Sequence, residues 1–261
     1  SIRHTSPASI KEYILKLPPI LEQRAIVSIL NSLDDKIYFL NHQNKTLESL
    51  AETLFKHWFV EDANEFILLG DLVKVIDNRG KTPPFSSVKT DYPIIEIKSL
   101  TGEGRFIDYE KCEKFVDKNT FNNWFRAGHP QINDILISTV GSIGELKMFM
   151  EERGSIAQNV IALRPVNISQ YYLYQYLSLT KTKMEMKELD IGSVQPSIKV
   201  PHLLSLEVPM PKSKNLIIDF DNQLKHFINK MNSNIYQVRI LIQLREMLLP
   251  KLMSGEVRVS E

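Results

Sequence analysis

A heptad seam occurs twice in this chain, in the same phase. Alternating steps of four and three from Ile26 pass Leu30, Leu33, Ile37, Leu40, Asn44, Leu47, Ala51, Leu54 and Trp58. The same steps begun 194 residues later, at Phe220, pass Leu224, Phe227, Met231, Asn234, Val238, Leu241, Arg245, Leu248 and Leu252. Such spacing marks the a and d positions of a helix that buries one narrow stripe. Two stripes in identical phase point to a duplicated unit. The repeat extends upstream. Pro7 matches Pro201, Ser1-Ile2-Arg3 resembles Ser197-Ile198-Lys199 after a two-residue slip, and Leu17-Pro18-Pro19 resembles Met210-Pro211 after a one-residue slip. Proline there ends an extended stretch and precedes a helix, where its missing N–H does least harm.

The seams predict helices from about Leu21 to Phe59 and from about Leu216 to Met253. At 1.5 Å per residue, ~38 residues span roughly 57 Å. A helix this long needs a partner along its length. Packing of each stripe on a globular domain is one solution, but a small domain does not cover so long a seam. The expectation is an antiparallel pair, within one chain or between two. Full overlap sets Asn44 opposite Asn234, Ala51 opposite Phe227 and Leu33 opposite Arg245. The expected pairing set is Leu33, Ile37, Leu40, Asn44, Leu47, Leu54, Phe227, Met231, Asn234, Val238, Leu241 and Leu248. A buried Asn pair would fix the register, because a slip strands its amides.

Between the helices, from about Glu65 to Pro211, the pattern changes. Short β-rich runs, Leu72–Ile76, Pro93–Ile97, Asp134–Ser138 and Asn159–Leu163, alternate with glycine turns. A helix is expected across Gln170–Met186, where Tyr172, Leu173, Tyr176 and Leu177 cluster on one side. The fold class is α+β: one mixed-sheet domain flanked by two long helices that pair as an antiparallel coiled coil.

The net charge of +1 gives no general attraction to polyanions, so a nucleic-acid surface would have to be a local patch. Cys112 is the single cysteine, which excludes an intrachain disulfide and fits a reducing, cytoplasmic setting. No apolar run reaches the ~18 residues a membrane span needs, and Ser1-Ile2-Arg3-His4 lacks a signal-peptide core.

Several motifs imitate chemistry. Arg79-Gly80-Lys81-Thr82 has the tail of a phosphate-binding loop, but Val75 stands where its first glycine belongs. Thr82-Pro83-Pro84-Phe85 resembles the catalytic motif of adenine methyltransferases, yet Thr82 replaces the Asn, Asp or Ser that holds the target amine. A rigid turn is the better reading. His4, His42, His57, His129, His202 and His226 show no ligand spacing, and no metal site is expected. No catalytic residue is assigned.

Ordered motifs along the chain carry a family resemblance. Glu22-Gln23-Arg24-Ala25-Ile26 after Pro18-Pro19 resembles the central conserved region of type I restriction–modification specificity subunits, and Leu47–Phe55 continues it. Leu69-Gly70-Asp71-Leu72 resembles the opening of their target recognition domains. Asn133–Ser138 followed by Gly141-Ser142-Ile143-Gly144 resembles their strand and glycine turn. Gln158-Asn159-Val160, Gly192-Ser193-Val194-Gln195-Pro196 and Leu248–Val257 also fit. The resemblance implies a remnant of a first recognition domain at 1–19, a spacer helix at 20–60, a recognition domain at 65–211 and a second spacer helix at 215–255. In that family two recognition domains alternate with the helices; here one is complete. A natural half subunit and a shortened subunit both remain open.

The resemblance implies a non-catalytic subunit that reads double-stranded DNA in the major groove and docks modification and restriction subunits. S-adenosylmethionine, ATP and Mg would belong to those partners. A homodimer through the helices would restore a second reading head. Arg79, Lys81, Gln158, Asn159, Gln195 and Lys199 lie in turns beside strands and are candidate base readers. Arg79, Lys98, Arg105 and Arg126 are candidate phosphate contacts. The competing readings are a coiled-coil scaffold without a DNA role and a stand-alone adenine methyltransferase.

Overall fold

The structure is a computed structural model that describes residues 17–61, 63, 65–190, 195–211 and 213–259. The implied remnant at 1–19, the upstream repeat matches at Ser1–Arg3 and Pro7, His4, and Gly192–Val194 therefore lie wholly or mostly outside the described residues. The chain divides into two compact units. One comprises residues up to Gln43 together with those from Met231 onward, and the other comprises Asn44–Lys230.

Both seams fold as continuous helices. Helix α1 spans Ile20–Phe55 and runs on as a π-helical turn over Lys56–Val60; the last helix, α8, spans Lys214–Ser254. Every seam position named above is buried or half-buried, with Ile26, Leu40, Ala51, Phe220, Leu224, Met231, Asn234 and Leu252 buried. In the first unit the helices run antiparallel. Gln43 Oε1 accepts from Asn234 Nδ2 at 2.8 Å, Asp34 Oδ1 accepts from Arg245 Nη1 at 2.7 Å, and Glu22 Oε2 accepts from Arg258 Nη1 at 2.9 Å. The residue number falls along one helix as it rises along the other. Asn234 bonds the residue next to Asn44, and Arg245 bonds the residue next to Leu33. These side chains reach across by one position, because polar groups must leave the apolar stripe to find partners at its edge.

In the second unit, β1 (Glu65–Leu68) pairs antiparallel with β8 (Glu207–Met210), which sets the two ends of the intervening chain side by side. Glycine-containing helix α2 (Leu69–Leu72) follows, so the predicted strand Leu72–Ile76 shortens to β2 (Val73–Ile76). The central sheet has the order β2-β7-β4-β5, with β4 at Ile135–Ser138, β5 at Leu146–Met148 and β7 at Val160–Pro165. All its pairings are antiparallel. The apolar runs of β4 and β7 are almost wholly buried, because both strands lie inside the sheet. The predicted strand Pro93–Ile97 splits into β3 (Ile94–Ile95) and a helical turn, α3 (Ile97–Leu100). Strand β3 pairs in parallel with β6 (Ser155–Ile156). This pairing depends on Gly154, whose φ is +81° and where an added Cβ would lie 2.3 Å from the Pro93 carbonyl oxygen.

The helix expected across Gln170–Met186 is two helices. Helix α5 (Gln170–Ser178), which follows the short α4 (Lys118–Asn123), ends where the Ser178 hydroxyl turns back to the Gln175 carbonyl at 2.8 Å. Leu179 is extended and buried, and α6 (Thr180–Glu188) restarts beyond it. A short helix, α7 (Val200–Leu204), then precedes β8. Tyr172 and Tyr176 donate from α5 to the Pro209 and Glu207 carbonyls of β8, at 2.5 and 2.9 Å. Phe55, Phe59, Tyr172 and Phe220 form an aromatic cluster that binds both helices of this unit to α5. Among the described residues no helix is long and apolar enough to cross a membrane.

Candidate nucleic-acid interface

Antiparallel pairing places the end of β2, the end of β4 and the start of β7 at one edge of the sheet, since Ile76 faces Ala162 and Ser138 faces Val160. The loops that leave these strands therefore meet. Thr139, the first residue beyond β4, is buried at their centre. Its backbone N–H donates to the Asn159 carbonyl at 2.9 Å, and its carbonyl accepts from the Ile198 N–H at 2.9 Å. Its hydroxyl accepts from Arg79 Nη1 at 3.0 Å. The Gly141 N–H donates to the Pro196 carbonyl at 2.8 Å, which brings the 195–199 segment to the same place.

The loop after β2 is held rigidly. Asp77 accepts from the Arg79 backbone N–H at 2.9 Å, from Arg79 Nε at 2.9 Å and from Nη2 at 2.7 Å. Asn78 is 1% exposed; it donates to the Gly128 carbonyl at 2.8 Å and accepts from the Ala127 N–H at 3.0 Å. Gly80 has a φ of +96°, a conformation that suits glycine, and turns the chain so that Arg126 Nη2 can reach the Arg79 carbonyl at 2.8 Å. Burial pushes the Asp77 carboxyl up, but hydrogen bonds from Arg79 and the charges of Arg79 and Arg126 outweigh it and hold the group below its ordinary value.

The structure brings together most of the residues expected to read DNA. Arg79, Gln158 and Asn159 are half-buried, while Lys81, Arg126, Gln195 and Lys199 are exposed. Gln158 Nε2 donates to the Thr82 hydroxyl, and Gln158 adopts a φ of +60°, unusual for a residue with a side chain. The Gln195 amide packs on Gly141. The phosphate-loop and Thr82-Pro83-Pro84-Phe85 imitations resolve as one irregular loop with no helix behind it, since the next element is β3.

Two expected residues do not join this cluster. Lys98 on α3 is exposed but spans both carboxylate oxygens of Glu113 at 2.9 and 2.8 Å. Arg105 is fully buried. Its Nε and Nη2 donate to Glu48 of α1 at 2.8 and 2.5 Å, and its guanidinium stacks 4.7 Å from the Tyr174 ring centre. It joins α1 to the sheet and has no path to a phosphate, which corrects the sequence expectation. Sequence reasoning missed Asp77, Asn78 and Thr139. The Asp-x-Arg spacing of Asp77 and Arg79 was a usable signal; nothing local marked Thr139. Among the described residues no group of three or more His, Cys, Asp or Glu side chains could hold a metal ion.

The model of the type I restriction modification DNA specificity domain family matches residues 61–238. The chain is 24% identical to the type I restriction enzyme MjaIX specificity subunit of Methanocaldococcus jannaschii, across 97% of this chain and 63% of that protein. It is 22% identical to the HindI specificity subunit of Haemophilus influenzae, across 95% and 70%. The structure of a type I restriction-modification system S subunit from M. genitalium superposes with a TM-score of 0.59 at 21% identity, covering 90% of this chain and 61% of that one. The chain thus spans just under two thirds of the MjaIX relative, and the superposition shows a shared fold. With a family match over most of its length, in a segment that holds the whole sheet and its loop cluster, the chain belongs to the type I restriction modification DNA specificity domain family.

Proposed function

We propose that this chain is a DNA sequence-specificity subunit of a type I restriction–modification complex, and that residues 65–211 form a recognition domain which reads one half of a two-part target. The observation that carries this reading is the convergence of Arg79, Gln158, Asn159 and Gln195 from separate loops on one sheet edge. Arg, Gln and Asn are the side chains that match guanine and adenine edges in the major groove. Exposed Lys81, Arg126 and Lys199 on the same loops supply the charge that positions phosphates. The local patch reconciles DNA binding with a net charge of only +1.

In this reading the helices at 20–60 and 215–255 act as a spacer. Roughly 57 Å of helix corresponds to a half-site separation of roughly 17 base pairs at most. Exposed apolar side chains on the helices, Val27, Tyr38 and Phe39 on α1 and Tyr236, Ile240 and Met247 on α8, support docking of modification subunits. Those subunits would supply S-adenosylmethionine and the chemistry, while restriction subunits would use ATP and Mg; this chain catalyses nothing. A homodimer would restore a second reading head and favour an interrupted palindrome. Mapping of methylated sites in cells with and without this chain tests the assignment: sites should vanish or change, and an unchanged map refutes it. Mass measurement of the wild type, alone and with target DNA, tests the dimer. A strict monomer that still binds a two-part site rules it out.

A further inference from the structure

We propose that Arg79 reads one guanine of the target and that Asp77, with Thr139, is the positioning residue that makes it a reader of donor geometry rather than of charge. This rests on the DNA-recognition reading above. A guanidinium carries five N–H donors. Three are occupied: Nε and Nη2 by the two Asp77 oxygens at 2.9 and 2.7 Å, and one on Nη1 by the Thr139 hydroxyl at 3.0 Å. One donor remains on each terminal nitrogen. Guanine presents two adjacent acceptors, O6 and N7, in the major groove, and no other base does so.

The same carboxylate removes the other use of this side chain. Bidentate pairing with Asp77 neutralises Arg79, so its attraction for a phosphate is small. The exposed Lys81 and Lys199 are better suited to that task. Arg79 also loses little freedom on binding. Its side chain is 24% exposed, its backbone N–H is held by Asp77, and its carbonyl is held by Arg126. A reader fixed before binding costs less entropy at the moment of contact.

The test uses methylated-site maps from cells making the wild type, Arg79→Lys, Asp77→Asn or Thr139→Val in place of the natural chain. Lys keeps the charge but not the two-donor fork. The expected result is relaxation at a single G·C position of the motif in Arg79→Lys and Asp77→Asn, with discrimination there falling roughly 5- to 150-fold and the other positions retained. Thermal melting should change little, because an ion pair this near the surface contributes little stability. A parallel arm needs no variant: the wild-type complex binds target duplexes in which each guanine in turn is 7-deazaguanine, which lacks the N7 acceptor. One such duplex should bind about tenfold or more weakly. An unchanged motif in Arg79→Lys, or unchanged binding to every deaza duplex, overturns the inference and leaves the recognition reading standing. Loss of all positions together with a large drop in melting temperature makes the pair structural and also overturns it. A wild-type map that does not depend on the chain overturns the recognition reading itself.

Discussion

Replacing Glu48 with glutamine should be among the most damaging single changes in the compact unit Asn44–Lys230. Arg105 is 0% exposed, and its charge is balanced by Glu48, whose own side chain is 22% exposed. Burial alone pushes the Arg105 guanidinium down; the Glu48 charge and hydrogen bonds more than offset it and hold the group above its ordinary value. The amide in the Glu48→Gln variant would offer one acceptor and turn an N–H₂ toward the guanidinium. Gln175 Oε1, at 3.3 Å, cannot carry a buried cation by itself. Breaking a buried pair costs about 3–5 kcal/mol. Because water can partly reach the Glu48 side, the lower end applies, about 3 kcal/mol. With a urea dependence of about 3 kcal/mol per molar, the unfolding midpoint should fall by roughly 1 M. Arg105→Met should cost less, about 1–2 kcal/mol, because it leaves a carboxylate that can turn to water. The assay is urea unfolding followed by far-UV circular dichroism and by fluorescence of Trp58 and Trp124. A larger loss in Arg105→Met than in Glu48→Gln would refute the buried-charge reasoning. The salt dependence of DNA binding should not change in Arg105→Met, since a buried guanidinium releases no counterions.

Other expectations follow from particular contacts. Gly154→Ala should destabilise by at least about 2 kcal/mol, read as a lower unfolding midpoint, because its Cβ meets the Pro93 carbonyl and separates β3 from β6. Phe55→Ala should cost about 3–5 kcal/mol in the same assay, since Phe55 is fully buried against Phe59, Tyr172 and Phe220. Lys147 is buried on β5 with its ammonium donating to the carbonyls of Gly102, Glu103 and Gly104, and burial pushes it down to about 8. Between that value and the ordinary lysine value of about 10.4 the unfolded chain binds more protons. Stability should therefore rise as pH increases from about 8 to about 9.5, and the rise should flatten in Lys147→Met. For Asp77 the slope has the same sign, since its depressed folded value again leaves the unfolded chain with more bound protons: the contribution is present above about pH 4 and lost as pH falls through the lower folded value. Acid titration of Asp77→Asn against the wild type should show the difference.

The sequence by itself determined the two long helices and the interior strands. Heptad spacing is a local property with a strong period, so the seam, its phase and the antiparallel pairing were legible from Ile26 and Phe220 onward. The apolar runs Ile135–Ser138 and Val160–Leu163 were legible for the same reason, since a strand buried on both faces advertises itself in composition. Turn residues beside those strands named Arg79, Gln158, Asn159 and Gln195. Tertiary structure alone decided where these residues sit. Sheet order, which no local pattern encodes, brought Thr139 against Arg79 across sixty positions of sequence. Burial turned Arg105 from a surface cation into an internal strut, because its partner Glu48 comes from a helix 57 residues earlier. Arg79 carries the same charge in the sequence as Arg105. Both pair with a carboxylate at similar distances; exposure, 24% for Arg79 against 0% for Arg105, separates a side chain that a partner can reach from one that holds the fold together.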